Sequence, residues 1–496
     1  MLKTPLALSV ALVLATASLG LPVDTAQATT AEAPKTMNPF FQISPLPFQY
    51  PQFDKIKDTD FAPAFKHGMA EQTAEIAAIA NNPAAPTFDN TILAMERTGQ
   101  VLNRAALVFF NQTSANTNDA LDALDVEFSP KFAAHSDSIY LNDKLFARIK
   151  ALYDNRNGLG LDAQSVRLVE RYYTDFVRAG SNLTEAQKTR VKAINAEMAT
   201  LTTQFSQNVL AEVNDSAIIV TDRAELAGLT DEQIAILAES AKEKGMPGKY
   251  RIALVNTTGQ PLMAQLENRG LRERLQKASV ARGSRGNQWD NREIVSKVTK
   301  LRAERAAIMG YPSYAAFGLA EETSKNPEAV NKMLSQLAPA AVANARKEGA
   351  VLQAMIDSEQ QAKGQTGFAL QPWDWSFYTE KVRSAQYNFD EAQLKPYLEF
   401  NNVLNKGVFY AVTQLYGVTF KRRTDLPVYE ESVQVYEAFN EDGSSLAIVI
   451  VDPYARASKR GGAWMSSYVN QSELMGTKPV VAFHLNVTEP TEGKPA

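Results

Sequence analysis

Apolar residues recur at helix-compatible spacing almost without interruption from Phe61 to about Val213. Helices of this kind bury an apolar stripe against a neighbour, so such a run predicts helices packed on helices. The segment from Thr184 to Val213 contains no proline or glycine and predicts one long helix with an antiparallel partner. Residues from Thr87 to about Phe110 predict another continuous helix. We therefore expect a mainly α protein.

Short strand patterns interrupt and follow this helical region. Two segments, Ile218–Thr221 and Tyr250–Val255, predict a small β element inserted between helices. Near the C-terminus the predicted strands are Val433–Phe439, Leu446–Val451 and Lys478–Val487, with turn chemistry at Asp442-Gly443. We also predict a capping box at Asp290–Glu293 that opens a helix from Glu293 to Met309. The expected fold is mainly α with a small β-sheet near the C-terminus.

These patterns divide the chain into four predicted parts. They are a signal peptide (1–28), a flexible segment (29–44), a mainly helical body (45–425) and a β-rich region (426–496). Lys3 is followed by an apolar run, and Ala26-Gln27-Ala28 has the small-x-small form of a signal-peptidase site, with cleavage after Ala28. The run is too short for a membrane anchor, and no later run is long enough to span a bilayer. We therefore expect an exported protein, periplasmic in a diderm bacterium.

Composition excludes several classes of function. The chain has no cysteine, which removes disulfides, thiol nucleophiles and every zinc site that contains cysteine. The formal net charge is -4, so nothing in it favours nucleic acid or an anionic membrane as a partner. The three histidines are His67, His135 and His484, and none lies in a His-Glu-x-x-His pattern. We expect His67 on a helix surface and His484 as a packed or edge residue of a strand.

Other candidate motifs have weaker support. A Ser-His-Asp triad is arithmetically possible, but no Gly-x-Ser-x-Gly elbow supports it. We interpret the acid pairs Glu321-Glu322 and Glu430-Glu431 as solvated charge, and the basic run 282–287 as a poor phosphate loop because no strand precedes it. Trp373, Trp375 and Tyr378 form an aromatic cluster that could stack on a ligand but better fits an anchor between helices.

The most informative stretch runs from Asp452 to Trp464. Two strand-like runs bracket a basic turn that contains Gly461 and Gly462. With Ala463 and Trp464, these glycines leave a strand edge uncluttered, which suits main-chain pairing with an extended peptide. An equally acceptable interpretation is a tight loop whose Trp464 fills the core.

Several runs resemble the M3 family of zinc metallopeptidases, and most closely its peptidyl-dipeptidase branch. They cover nearly the whole mature chain in the family's order. The matching runs are 53–58, 63–65, 86–92, 290–295, 301–305, 310–316, Trp373–Trp375 with Tyr378, Asp452–Trp464 and 476–481. The resemblance implies two mainly helical lobes around a channel, with Gly461, Gly462, Ala463 and Trp464 as substrate-strand candidates.

In this family a strand like Lys478–Val487 leads into the zinc-binding His-Glu-x-x-His helix, and this sequence ends before such a motif. The resemblance therefore implies the N-terminal portion of a zinc peptidase that acts on short peptides, is monomeric at full length and releases C-terminal dipeptides. No catalytic or metal-binding residue is assigned in this chain, which we expect to be inactive alone. The alternatives are a non-catalytic periplasmic peptide-binding protein and, with less support, a hydrolase that needs no zinc.

Overall fold

The computed structural model describes residues 37–254, 260–387, 393–394 and 397–490. The predicted signal peptide, its cleavage site at Ala28, the first half of the segment 29–44 and the end of the strand predicted to reach Val255 lie outside these residues. Within the described part, Phe40 is buried and its ring lies 5.1 Å from that of Phe61. Phe40, which falls within the predicted flexible segment, is therefore packed against the helical body. No helix in the described ranges is long and apolar enough to cross a membrane.

Most of the described chain is helical, as the apolar spacing predicts. The helices are α1 (Asp58–Ala80), α2 (Ala94–Glu96), α3 (Gln100–Ala115), α4 (Asp119–Tyr140), α5 (Asp143–Asp154), α6 (Ala163–Ala179), α7 (Glu185–Asp215), α8 (Asp231–Glu243), α9 (Arg269–Val280), α10 (Arg292–Ile308), α11 (Tyr314–Leu319), α12 (Pro327–Ala362), α13 (Trp375–Tyr387), α14 (Phe400–Asn402) and α15 (Tyr410–Tyr416). Stretches of π-helix, Phe88–Leu93 and Val403–Phe409, lead into α2 and α15.

Two predicted helix boundaries are wrong. The continuous helix expected from Thr87 to Phe110 breaks before α3, because Gly99 adopts a left-handed conformation (φ 76°). The expected capping box at Asp290–Glu293 does not form. Instead, Asp290 Oδ1 accepts from the backbone N–H of Arg292, two residues on, at 3.0 Å. This Asx-type turn starts α10 at Arg292 rather than at Glu293.

The strands form two sheets. The inserted β element consists of β1 (Ile218–Val220) and β2 (Tyr250–Ile252), which pair antiparallel as expected. The larger sheet contains β3 (Thr419–Arg423), β4 (Gln434–Phe439), β5 (Ser445–Tyr454), β6 (Trp464–Val469) and β7 (Val480–Val487), in the order β3-β4-β5-β7-β6. Strands β5 and β7 are parallel and the other neighbours are antiparallel.

The sheet shares a hydrophobic core with the N-terminal helices. Alternate residues of the central strands face this core, as the period of two in a strand requires. The core combines aromatic residues of the helices with aliphatic residues of the sheet: Phe61, Phe65, Phe109, Phe128, Val435, Ile448, Ile450, Val480 and Ala482. Strand β3 ends at Arg423, so the sheet begins shortly before the predicted β-rich region 426–496.

The opposite face of the sheet is covered over only part of its width. Leu404 and Phe409, from the segment between α14 and α15, pack against Tyr436 and Val449 of β4 and β5. On β6 and β7, Met465 and Phe483 lie directly opposite each other and remain 60% and 44% exposed. An apolar part of the sheet face is therefore open in the described structure.

Candidate functional site

Strand β6 is one of the two edge strands of the larger sheet, and β3 is the other. Among the described residues β6 pairs with β7 on one side and with no strand on the other. Of the four residues predicted to form the substrate strand, only Trp464 belongs to it. Gly461, Gly462 and Ala463 lie in the preceding loop, where Gly462 has a φ of 90°. The glycines therefore form the predicted turn, and the strand begins only at Trp464. The role of the four residues in holding a substrate strand stays a prediction.

The sheet register brings three side chains into one row across neighbouring strands. Asp452 of β5 pairs with His484 of β7, which pairs in turn with Trp464 of β6. The indole of Trp464 stacks on the imidazole of His484, with ring centroids 4.7 Å apart and planes 16° apart. His484 is fully buried, as expected for a packed strand histidine. Trp464, the first residue of β6, is thus held in place by the buried imidazole of His484.

Asp452 is the centre of a buried charge network. Its carboxylate accepts from both terminal nitrogens of Arg456 (2.8 Å each) and from the Tyr429 hydroxyl (2.8 Å), and it lies 2.9 Å from Lys459 Nζ. Burial alone would raise the pKa of Asp452. Hydrogen bonds from Arg456, His484 and Lys459 outweigh burial and hold that pKa below its usual value.

Lys459 is fully enclosed. Its side chain is 0% exposed, and Nζ also donates to the carbonyls of Asp452 and Tyr454 at 2.9 and 3.0 Å. Burial lowers the pKa of Lys459, and the contact with Asp452 opposes this effect only in part. Two basic residues, four and seven positions after a buried acid, were visible in the sequence as a basic turn. Their convergence on Asp452 was not predicted.

The loop between β5 and β6 is tied to the end of α3. Arg456 donates to the carbonyl of Ala115. The backbone N–H of Arg460 donates to the carbonyl of Ser114, and that of Thr117 donates to the carbonyl of Ser458, both at 2.9 Å. These bonds join residues more than three hundred positions apart, so the helical body determines where the loop lies.

Two asparagines secure the same loop from other elements. Asn486 of β7 donates to the carbonyls of Arg460 and Gly462 at 2.9 and 2.6 Å. Asn214, near the end of α7, donates to the carbonyl of Ala457 at 3.1 Å. The approach to β6 is therefore fixed from α3, α7 and β7 together, and the edge strand is pre-organised.

Ser466, His484 and Asp452 are connected in the order of a catalytic triad. His484 Nε2 lies 3.1 Å from the Ser466 hydroxyl, and Nδ1 lies 3.3 Å from Asp452 Oδ2. In a working triad the aspartate stabilises the imidazolium. Here Arg456 and Lys459 already compensate the negative charge of Asp452. We therefore interpret the arrangement as support for β6 and not as a nucleophile site.

The remaining candidates have structural roles. His67 is exposed and lies 3.3 Å from Glu71, as expected for a residue on a helix surface. Asp374, between the two tryptophans of the aromatic cluster, is fully buried and is bound by Arg269 and Arg272. The cluster therefore anchors α13 to α9. Among the described residues, no group of three or more His, Cys, Asp or Glu is placed to hold a metal ion.

The basic run 282–287 is likewise engaged with the protein itself. Arg285 pairs with Glu212 and Asp215, and Asn287 donates to Glu212 at 3.0 Å. Of the acid pairs, Glu321 lies 3.2 Å from Arg171, and Glu430 accepts from the backbone N–H of Ser432. None of these residues forms a second candidate site.

The fold and the site define a mainly helical protein whose mixed sheet presents a supported edge strand. Residues 262–496 match the model of Peptidase family M3. The chain is 46% identical over 461 residues to the dipeptidyl carboxypeptidase of Escherichia coli. The aligned region covers 93% of this chain and 67% of that protein. It is also 30% identical over 458 residues to oligopeptidase A of the same organism, covering 91% of this chain and 66% of the relative.

The chain belongs to peptidase family M3, in its dipeptidyl carboxypeptidase branch. The dipeptidyl carboxypeptidase of Salmonella typhimurium is 45% identical over 459 residues, with 92% of this chain and 67% of the relative covered. The chain thus spans about two thirds of the length of the curated relatives it matches.

Proposed function

We propose that this chain is the peptide-holding portion of a zinc-dependent peptidyl-dipeptidase that hydrolyses short peptides and releases C-terminal dipeptides. The names of the relatives support the reaction class. The observation that carries the proposal is the edge strand β6, which pairs with no strand on its outer side among the described residues. The carbonyl of Ser467 in this strand already accepts from Asn111 of α3 at 3.0 Å, and Trp464 is stacked on His484. An extended peptide would add to the sheet as a further strand, and its backbone would supply most of the binding energy.

Zinc is the cofactor that the family implies, and the described residues do not fit it. They contain no cluster of metal ligands, so we assign zinc to no residue of this part of the chain. We accordingly propose that the chain alone binds peptides without cleaving them. We also propose a periplasmic location, from the signal-peptide pattern of residues 1–28, and a monomeric state for the full-length protein.

Peptide binding can be tested with two sets of N-methylated peptides. In a β-strand, alternate N–H groups point to opposite sides, so only every second amide of the ligand can bond to β6. We expect that methylating one alternate set of amides in a fluorescent six-residue peptide weakens binding by about tenfold or more. Methylating the other set should change the dissociation constant by less than about threefold, because those N–H groups face away. Fluorescence anisotropy measures both constants.

Equal sensitivity to both sets of methyl groups, or no binding of the parent peptide, would contradict this proposal. The same samples should be analysed by mass spectrometry for released dipeptides, with and without a chelator. Binding without cleavage is the expected result. A protein whose natural role is peptide binding alone would give the same result, and the open strand edge favours that second candidate equally. Cleavage that persists in chelator would instead support a hydrolase that needs no zinc.

A further inference from the structure

The first half of α12 is a helix without covering structure. Every residue from 331 to 348 is exposed, over about five turns and ~27 Å of helix. The exposed set includes large apolar side chains, among them Leu334 at 51% and Leu337 at 59%. A helix gains little stability from propensity alone and usually depends on packing of an apolar face.

Five of the exposed apolar residues lie on one side of α12, and the exposed Met333 and Val342 lie roughly a quarter turn to either side of Leu334. Leu334, Ala338, Ala341 and Ala345 follow one another at spacings of four, three and four residues. Residues at these spacings occupy one face of a helix. We call this set, together with Leu337, the α12 stripe. Small alanines between larger side chains allow another helix to approach closely.

The α12 stripe continues a face of the same helix that is already packed. Leu352 and Ile356 extend the same helical spacing and are 4% and 0% exposed, in contact with Phe377 and Tyr378 of α13. At Gly349 a Cβ atom would lie 3.5 Å from the ring of Trp375, the first residue of α13. Helix α13 therefore covers the face only from about Gly349 onward, and the same kind of surface continues uncovered toward Leu334.

We propose that the α12 stripe is the docking site of an amphipathic helix from the part of M3 peptidases that this chain does not match. About a third of the E. coli dipeptidyl carboxypeptidase lies outside the match, so a polypeptide of that origin exists to cover the face. The stripe runs from Leu334 to Ala345, a length that corresponds to a partner helix of about three turns. Helix α13 already packs on the same face of α12 further along the helix, and the proposed second helix would pack on that face next to it. The inference concerns assembly and does not depend on peptide hydrolysis.

The test is co-expression of this chain with the unmatched third of the E. coli dipeptidyl carboxypeptidase, carrying an affinity tag. The disrupting variant is Leu334→Glu with Ala341→Glu, which places two charges in the proposed interface. The matched control is Gln336→Glu with Ala343→Glu. These residues are offset by two positions and therefore lie on the opposite side of the helix. All four positions are exposed, so both variants should fold alike, and circular dichroism checks this.

We expect the parent chain and the control to be recovered with the tagged partner, and the disrupting variant to be reduced by about tenfold or more. Equal recovery of both variants, or no recovery of the parent, would overturn the proposal. Light scattering of the chain alone addresses a second copy as the occupant. A dimer broken by the disrupting variant and kept by the control would assign the stripe to self-association and also overturn the proposal.

Discussion

At the scale of single residues, Asp452 connects the largest number of parts of the candidate site. Its carboxylate joins the end of β5 to Arg456, Lys459, Tyr429 and His484. Removing one member of a buried ionic cluster leaves the others without compensation, and this usually costs more than the cluster contributes in total. We therefore expect the loss of Asp452 to destabilise the folded protein strongly.

Asp452→Asn should lower the free energy of unfolding by about 3 kcal/mol or more, because Lys459 would remain buried without a counter-charge. Urea unfolding at pH 7 measures this loss. Adding Lys459→Met to the same chain should recover part of it, because the uncompensated charge is removed as well. Exposed Glu127→Gln serves as the control and should leave the midpoint unchanged. An unchanged midpoint in Asp452→Asn would contradict the role given to the network.

Asp137 presents the opposite electrostatic case. It is 8% exposed on α4, its Oδ1 accepts from Asn195 of α7 at 2.7 Å, and its Oδ2 has no hydrogen-bond partner in the described structure. Burial raises the pKa of Asp137 to about 6, with Asn195 and nearby Arg305 opposing the shift. In the unfolded chain an aspartate has a pKa of about 3.9. The folded state therefore binds this proton more tightly than the unfolded state does.

The sign of the pH effect follows from that order of pKa values. The contribution of protonated Asp137 is fully present below about pH 4 and is lost as pH rises through about 6. Between pH 7 and pH 4 the parent should gain about 2–3 kcal/mol relative to Asp137→Asn, which cannot titrate. Urea unfolding of both proteins at the two pH values gives the difference. A difference that does not change with pH would refute the assignment.

At the scale of elements, the break between α2 and α3 shows how one residue overrides helical periodicity. Gly99 combines its left-handed backbone with an N–H that donates to Glu75 of α1 at 2.9 Å. A Cβ atom at this position would lie 2.5 Å from the side-chain amide of Gln72. Gln72 is itself buried, bonded to Thr98 and 2.7 Å from His135. The chain can turn here only because glycine has no side chain.

Gly99→Ala should therefore destabilise the fold by about 2 kcal/mol or more, from backbone strain and from the clash with Gln72. The matched comparison is Gly443→Ala, in the turn between β4 and β5. Gly443 has a similar φ of 80° and no atom within 4 Å of the added Cβ. That variant isolates the strain, for which we expect about 1 kcal/mol. Thermal unfolding of both variants tests the comparison, and equal losses would show that Gln72 moves aside freely.

At the scale of the whole molecule, large apolar areas remain exposed on elements that are otherwise regular. Besides the α12 stripe, Tyr410, Leu415 and Tyr416 of α15 are 62%, 72% and 72% exposed. Exposed patches of this kind mark interaction surfaces and promote association. A folded protein that lacks a covering for such faces also loses the stability that their burial would supply.

We predict that the chain without residues 1–28 binds a hydrophobic dye while folded and unfolds below the range of about 45–65 °C typical of mesophilic domains. Dye fluorescence and scanning calorimetry measure the two properties. Leu334→Glu with Ala341→Glu should reduce dye binding, whereas the opposite-face control should not. A monomer with one cooperative transition above that range would argue against exposed interfaces as the dominant feature.

Local patterns were sufficient for much of the architecture. Helix α7 begins one residue after its predicted start. Strands β1, β2, β4, β5 and β7 all form where runs of strand-forming residues predicted them. Strand β3 was missed because its residues Thr419–Arg423 are largely polar and exposed. The charged residues Lys421 and Arg422 are typical of a loop, and only the pairing with β4 identifies this segment as a strand.

The candidate site was predicted only in its position along the chain. The sequence indicated a basic, glycine-containing turn before a strand edge, and the structure places that turn beside β6. The contacts that fix it join residues distant in sequence, such as Arg456 with Ala115 and Asp452 with His484. Such pairs depend on the order of strands in the sheet, which no local pattern specifies.

The sequence alone determined the mainly helical class, most element positions and the family, because periodicity and family motifs depend on neighbouring residues and on their order in the chain. Tertiary structure decided which strands lie at the edges of the sheet, and that Arg456 and the buried Lys459 both contact Asp452. It also decided which face of α12 is left open. These properties arise from packing between distant segments, and burial and charge compensation exist only once those segments are in contact.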